Sequence, residues 1–211
     1  MRIRRRDFVK GRTAVVPSGV ALGALNNKFA WTKAEDFAND VDVLNYALTL
    51  EFLEAEFYRQ GNSAGLLSGK EKTYLEKVQA DEDSHVATIR STIEQLGGTP
   101  VAAPGVDFAD AFDNRENYLT TAHVFENTGV GAYLGAAGYI KDKMILAAAA
   151  GIFGIEARHA AIIGNLLDLE PEGGVYMGNV ETGVAKDDVL TAITPFLADA
   201  GDMEDDAAVT L

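Results

Sequence analysis

The stretch FGIEARHAAIIGNLLD, residues 153–168, is predicted to form a helix whose apolar face carries two polar side chains. At helical spacing, the face that includes this stretch consists of Ile145, Ala149, Ile152, Glu156, His159 and Ile163. Four of the six are apolar, as expected for a stripe that packs against a core. Glu156 and His159 are three residues apart, so both side chains point to one side of the helix. A carboxylate buried there needs a compensating partner.

Three more long segments show the same helical period, so four helices are expected at about residues 40–60, 70–96, 114–140 and 142–168. The connections at 61–69 and 141–142 are short, which favours two antiparallel hairpins. The middle connection, about residues 97–113, contains two prolines and no strand pattern, and it is long enough to run the length of a bundle. Ser68 and Glu71 are spaced for a capping box at the second helix. We therefore predict an all-α, four-helix bundle with one long crossover over residues 39–170, the layout of ferritin-like folds. Residues 171–211 are expected to form a C-terminal loop, a short helix at about 187–198 and an acidic tail.

Each of the four predicted inward stripes carries a glutamate near the middle of its helix, about 16 to 21 Å from an end. Midpoints of antiparallel helices lie at one level, so these side chains are expected to converge. Two of the glutamates are followed three residues later by a histidine. The set is Glu51, Glu82 with His85, Glu126, and Glu156 with His159.

Four carboxylates in an apolar interior repel one another, and no Lys or Arg lies on these stripes. Two divalent cations would balance the four negative charges, with the two histidines as neutral ligands. One Glu from each of two helices and a Glu-x-x-His from each of the other two is the ligand pattern of di-iron and di-manganese bundles. We therefore predict that the six residues bind two iron or two manganese ions, because zinc usually takes fewer oxygen ligands. The alternative is a solvated, charged cavity without metal.

Several neighbours of these residues have two interpretations. Glu54 lies one turn from Glu51 and is an alternative first-helix ligand, although Glu51 lies on the stripe that ends at Tyr58. Tyr58 and Tyr133 either pack in the core or have a chemical role, which is to orient a carboxylate or to donate an electron. His123, one turn before Glu126, either bonds a ligand or lies on the surface.

Glycines in the third helix, with the small residues at 147–151 opposite, indicate either close helix contact or a channel for a small oxidant. The sequence does not decide between these two interpretations.

The N-terminus resembles an export signal. Arg5-Arg6-Asp7-Phe8-Val9-Lys10 closely matches the twin-arginine motif and precedes a mildly apolar stretch too short to span a bilayer. Residues 1–30 are therefore predicted to be a twin-arginine signal peptide, cleaved or retained as a membrane anchor, on an extracellular, cell-surface or periplasmic protein. A basic disordered arm is the alternative.

The charge of the chain is unevenly distributed. The formal net charge is −14, but from residue 31 onward there are 31 acids and 11 bases, a balance of −20. An acidic body argues against nucleic acid or an anionic membrane surface as a partner. A strongly acidic surface with few lysines is typical of halophilic proteins, and an ordinary acidic protein is the alternative. The chain has no cysteine, so disulfides, thiolate metal sites and thiol nucleophiles are excluded.

The segments LNYALTLEFLEAEFY, DEDSH, HVFENTGVGAYLGAA and AAAAGIFGIEARHAAIIGNLLD resemble the ferritin-like family that includes exported, desiccation-related bacterial and archaeal proteins. The chain is more distantly similar to bacterioferritin, rubrerythrin and manganese catalase. The resemblance covers about residues 39–170 and implies the same six ligands. Some desiccation-related members lack several ligands, whereas this chain has all six. The cysteine-rich iron module of rubrerythrins is absent, so the chain has no electron relay of that kind.

These features predict an exported dimetal oxidoreductase with ferroxidase, peroxidase or catalase-like activity in oxidative or desiccation stress. Its small substrates would be O₂, peroxide or Fe(II). A non-catalytic metal-binding or stress-protective bundle, acting by assembly into a homo-oligomer, is the alternative. Iron storage is a third possibility, and it would need a closed shell.

Overall fold

The computed structural model describes residues 36–198, and four long helices dominate that part of the chain. They are α1 (Asp40–Ser63), α2 (Gly69–Gln95), α3 (Arg115–Ala136) and α4 (Lys143–Leu166), followed by the short α5 (Lys186–Ile193). Between residues 36 and 198 there are two isolated β-bridges and no strand. The predicted all-α bundle with a short C-terminal helix is confirmed. The predicted signal peptide at 1–30 and the predicted acidic tail beyond 198 lie outside the described residues.

Three of the long helices begin at a side-chain cap. Asn39 accepts a hydrogen bond from the Asp42 amide at 3.1 Å, and Asn114 accepts one from the Asn117 amide at 2.9 Å. Asp142 caps α4 by accepting from the amides of residues 144 and 145. Such caps satisfy amide groups that have no partner inside the helix.

The predicted capping box of the second helix is wrong. The Ser68 side chain makes no capping hydrogen bond, and Gly69 at the helix start has a φ of +54°. Glu71 instead accepts a 2.9 Å hydrogen bond from Arg115 at the start of α3. Glu71 therefore forms a tertiary ion pair with Arg115 instead of the capping interaction that the local sequence predicts.

The long connection between α2 and α3 crosses the bundle from end to end. It begins beside Asn45 in the first turns of α1, where Val101 donates to the Asn45 side chain at 2.8 Å. It ends beside the last turns of α1, where Phe108 and Phe112 pack against Phe57. The crossover predicted from the length of this segment is therefore present.

The two ends of the bundle have different cores. One end is filled by aromatic rings that contact one another, namely Phe57, Phe108, Phe112, Tyr118, Phe125 and Phe196. The other end is mainly aliphatic, with Leu44, Leu48, Ile89, Ile93 and Ile145. The predicted mid-helix glutamates lie between these two cores.

Two glycines of α3, Gly131 and Gly135, face the C-terminal segment rather than α4. Val184 donates a backbone hydrogen bond to Gly131 at 2.8 Å. A Cβ on Gly135 would lie 2.1 Å from the Val184 carbonyl oxygen, so this close approach requires glycine. These two glycines therefore allow the C-terminal segment to approach α3, rather than the contact with residues 147–151 that the sequence indicated.

Helix α4 is unusually apolar for a helix with a largely exposed first half. Its mean hydropathy reaches 1.4 over 18 residues, so by length and composition alone it would qualify as a membrane span. Core helices of bundles pass the same test, and α4 carries the buried Glu156 and His159 in its second half. Its first half is largely exposed, including Met144.

Candidate metal centre

The predicted ligands meet in the interior of the bundle, as the sequence analysis expected. The four glutamates are each 0% exposed, although every one of them stands in the middle of a long helix. His159 is 4% exposed, and the His85 side chain is 12% exposed. The helical period places each side chain on the inner face, and the antiparallel arrangement brings all of them to one level.

One group of ligand atoms surrounds His85. Its Nδ1 atom lies 3.2 Å from Glu51 Oε2, 3.1 Å from Glu82 Oε2 and 3.4 Å from Glu156 Oε1. One ligand atom from each of these four residues lies within 4.8 Å of the others. Four donor atoms this close can surround a single cation.

A second group surrounds His159. Its Nδ1 atom lies 3.0 Å from Glu82 Oε1 and 3.3 Å from Glu126 Oε2, and Glu156 completes the set of four. Glu82 faces the two histidines with different oxygens, and Glu156 also belongs to both groups. If two adjacent cations bind here, these two carboxylates would bridge them, while Glu51 and Glu126 would each bind one.

Two tyrosines hold the two non-bridging glutamates. Tyr58 on α1 donates a hydrogen bond to Glu126 Oε1 on α3, and Tyr133 on α3 donates one to Glu51 Oε1 on α1. Each glutamate thus has one oxygen bound to a tyrosine and the other directed toward a histidine. Of the interpretations of these tyrosines, orienting a carboxylate is the one that the geometry supports.

The site residues form an internal repeat. Every member of the set on α1 and α2 has a counterpart on α3 and α4 that follows it by 74 or 75 residues. The pairs are Glu51 and Glu126, Tyr58 and Tyr133, Glu82 and Glu156, and His85 and His159. The two hairpins therefore contribute equivalent halves of one site. The shared spacing of seven residues from glutamate to tyrosine was the sequence signal for the tyrosine contacts.

Asp81 is a site residue that the sequence analysis missed. Its Oδ2 atom lies 3.2 Å from Nε2 of His159, the ring nitrogen opposite the one that faces the carboxylates. A carboxylate at this position fixes the tautomer and orientation of a ligating histidine. The counterpart of Asp81 in the other half is Ile155, which cannot form such a bond to His85. The signal available in the sequence was an acid directly before Glu82.

Glu54 is a fifth buried carboxylate in the site, with 4% exposure. Its counterpart in the repeat is Gly129. A Cβ at Gly129 would lie 2.9 Å from Glu156 Oε2 and 3.4 Å from Glu54 Oε1, so the glycine leaves room for both carboxylates. Glu51, not Glu54, supplies an atom to the clusters of possible ligand atoms found among residues 36–198. The geometry therefore favours Glu51 as the ligand and places Glu54 beside the cluster.

Residues 39–169 match the family model described as the ferritin-like domain. The chain belongs to the ferritin-like family. The matched range nearly coincides with the bundle predicted over residues 39–170. A comparison with curated proteins found no match to the chain.

Several ligand atoms of this ferritin-like site have no hydrogen-bond partner in the protein, although they are buried. They are Glu82 Oε1, Glu126 Oε2, both carboxylate oxygens of Glu156 and His159 Nδ1. Leaving buried polar atoms unpaired is unfavourable, so native proteins rarely do it without a reason such as an ion. Of the seven such side-chain atoms among residues 36–198, five belong to predicted ligands, and the other two are the hydroxyls of Tyr46 and Thr121. The residues present therefore fit a pair of divalent cations.

The carboxylates and imidazoles hold protons tightly when no cation offsets their charges. Burial raises the pKa of Glu51 to about 8, partly offset by His85. Burial and neighbouring carboxylates raise the pKa of Glu156 and Glu54 well above the usual range. Glu82 is the exception, because the adjacent imidazoles of His159 and His85 outweigh burial and lower its pKa to about 2.

The two histidines hold their protons more tightly than a free imidazole does. Burial lowers the pKa of each imidazole, but the adjacent carboxylates outweigh it and raise the pKa of His85 to about 10 and that of His159 to about 11. Metal ligands must be deprotonated, so cations entering this site would displace protons.

The sequence left two alternatives for His123, a hydrogen bond to a predicted ligand or a place on the surface, and the structure shows neither. His123 is half-buried rather than exposed, and its Nε2 atom lies 3.2 Å from the Asn127 side chain. Burial lowers its pKa, with a smaller opposing effect from the Gly174 backbone. His123 thus joins α3 to the C-terminal loop.

Proposed function

We propose that this ferritin-like chain binds two iron or manganese ions at the site and acts as an oxidoreductase on O₂, peroxide or Fe(II). The observation that carries the proposal is the pair of four-residue groups that share Glu82 and Glu156 and contain the unpaired buried atoms. Two such cations, held by these residues, would supply the redox chemistry that an oxidoreductase needs.

The chain's own residues supply positioning and protons. Glu82 and Glu156 would help to hold both cations, and the tyrosines restrain Glu51 and Glu126. Burial and neighbouring carboxylates raise the pKa of Glu54, which disfavours its charged form next to Glu156. The four ligand carboxylates by themselves match the charge of two divalent cations.

A non-catalytic metal-binding or stress-protective role is the second candidate. The observation that favours it is the lack of any cysteine in the chain, which excludes a thiolate iron centre that would relay electrons to the site. A peroxide-disproportionating enzyme would not need such a relay, because peroxide is both oxidised and reduced.

Metal analysis of the full chain, purified without added metal, tests the proposal. We expect about two iron or manganese ions per chain by mass spectrometry, and fewer in Glu82→Gln because Glu82 belongs to both groups and the amide carries no negative charge. Mixing the loaded protein with Fe(II) and O₂, or with peroxide, then separates the candidates. Turnover supports the oxidoreductase, metal without turnover supports the binding protein, and a chain that binds no metal overturns both.

We further propose that the protein is exported by the twin-arginine pathway and acts outside the cytoplasm. The support is the Arg5-Arg6 pair in register with Phe8 and Lys10. Replacing both arginines with lysine preserves the charge but changes the motif. We expect the wild-type chain in the exported fraction and the double variant in the cytoplasm; equal export of both would refute the proposal.

A further inference from the structure

A cavity lies one helical turn from the ligand layer, on the aliphatic side of the bundle. Its wall includes Ala47, Ile89 and Ile152, each four residues along its own helix from a predicted ligand. Tyr133, which also lines the cavity, reaches the ligand layer through its hydrogen bond to Glu51. The cavity is therefore adjacent to the dimetal site rather than elsewhere in the core.

The wall of the cavity is almost entirely apolar. Its tyrosine and threonine hydroxyls are few, and two of them already donate, Tyr133 to Glu51 and Thr92 to the Thr88 carbonyl. The hydroxyl of Tyr46 is buried and has no hydrogen-bond partner in the protein. A buried water needs two to four polar partners, so this wall does not hold water well and favours an apolar occupant.

The cavity opens between α2 and α4, where those two helices are not tightly packed together. Thr88 on α2 and Ala148 on α4 line it and are both exposed. The opposite side of the ligand layer is filled by the aromatic core around Phe57 and Phe125. An apolar molecule therefore has a route from solvent toward the ligands on one side of the site.

The size of the cavity restricts what it holds. Its volume is about 50 Å³. An engineered apolar cavity of about 150 Å³ holds benzene or xenon, so a space a third as large suits a diatomic gas or one xenon atom rather than an organic ring. Hydrogen peroxide is similar in size, but its two hydroxyls would lose their hydrogen bonds against this wall.

We propose that this cavity binds dioxygen and passes it between solvent and the ligand layer. The inference rests on the proposed function in one respect, that an oxygen species reacts at the site. It goes further by assigning the apolar route to O₂ and leaving polar substrates to another route.

Xenon binding to the metal-free full chain tests the cavity without reference to metal or turnover. Xenon is apolar and close in size to O₂. We expect xenon-129 NMR, or crystals under xenon pressure, to show one site bounded by Ala47, Ile89 and Ile152. No xenon at that position would overturn the proposal, whatever the metal content of the protein.

Two neighbouring alanines of α4 provide a matched pair of variants for the role of the cavity. Ala149 lines the cavity, whereas Ala150 is exposed and is not part of the wall. Ala149→Leu places three more carbons in the cavity, and Ala150→Leu places them in solvent. We expect xenon binding to be lost in Ala149→Leu and retained in Ala150→Leu, with unchanged circular dichroism in both.

In metal-loaded protein, the same two variants distinguish the route taken by O₂ from the route taken by peroxide. We expect Ala149→Leu to slow the reaction with O₂ by about tenfold, because the larger side chain fills the cavity that O₂ would occupy. Its reaction with peroxide, and both reactions of Ala150→Leu, should stay close to wild type. Equal O₂ rates in the two variants would show that the cavity is not the route, even if xenon binds. If neither wild-type reaction occurs but xenon binds, the proposed function fails and the gas site stands.

Discussion

Tyr58 donates a hydrogen bond across the bundle to Glu126, and the same contact recurs in reverse between Tyr133 and Glu51. Tyr58→Phe or Tyr133→Phe would leave a ligand carboxylate free to rotate. We expect each variant to weaken metal binding by about 10- to 100-fold, as for other partners of metal ligands. Competition with a chelator would measure the affinity.

Tyr118→Phe is the matched control for these two variants. Tyr118 is equally buried, but its hydroxyl donates to Asn62 rather than to a ligand, at 2.9 Å. Its loss should reduce stability without changing metal affinity. If all three variants weaken metal binding equally, the tyrosines act through general packing and not by orienting carboxylates.

The contact between Asp81 and His159 makes a second prediction. Asp81→Asn weakens the interaction that orients the imidazole, so we expect metal affinity at the His159 position to fall by about tenfold or more. Asp83→Asn, two residues along α2 at an exposed position, removes the same charge and should have little effect. Metal titration of both variants would test this, and equal losses would point to surface charge instead of orientation.

Glu51 and Glu54 are expected to differ sharply when each is changed to glutamine. Glu51→Gln removes a ligand atom from the His85 group and should reduce the metal content toward one ion per chain. Glu54→Gln changes an acid that supplies no atom to either group and whose raised pKa disfavours its charged form, so the chain should keep two ions. Elemental analysis of the two variants gives the answer directly. Loss of metal from Glu54→Gln alone would reverse the assignment of the first-helix ligand.

Gly129→Ala should damage the site although alanine is the better helix former. Its Cβ would lie 2.9 Å from Glu156 Oε2, so the bridging carboxylate must move. We expect weaker binding of both ions. Gly151→Ala on α4 is the control, because nothing lies within 4 Å of its Cβ and the change should only stabilise the helix. Unchanged metal affinity in Gly129→Ala would mean that the carboxylates have more room than the structure indicates.

The stability of the metal-free chain should fall as the pH rises. The folded-state pKa of Glu51 is about 8 against 4.5 in a free carboxyl, and that of His85 is about 10 against 6.5. The folded chain therefore binds more protons than the unfolded chain. The stabilisation from Glu51 is fully present below pH 4.5 and is lost as the pH passes about 8. That from His85 is fully present below pH 6.5 and is lost through about 10.

Urea unfolding of the metal-free and metal-loaded chain, at fixed salt from pH 6.5 to 9.5, would test this sign. The free energy of unfolding should decline in the metal-free sample. The loaded sample should gain relative to it, because cations compete less with protons at high pH. A metal-free chain that becomes more stable over this range would contradict the proton balance of the site.

Much of the fold followed from local patterns in the sequence. Helical period, helix length and turn residues predicted the four helices, the crossover and the inward position of the six predicted ligands. All three signals come from residues that are close together in the sequence. The Ser68 and Glu71 capping box failed because Arg115, distant in sequence, binds Glu71 more favourably. Whether metal occupies the site is still a prediction.

The sequence by itself determined which face of each helix carries the glutamates and histidines, because an i, i+3 spacing has one geometric meaning in a helix. Tertiary structure decided the rest. It brought Asp81 to His159, joined each tyrosine to the glutamate of the other hairpin, and placed Glu54 against Gly129. The packing of the helices also forms the apolar cavity at Ile89 and Ile152. Distances between helices and gaps between side chains depend on how whole helices rotate and pack, and no local spacing encodes that.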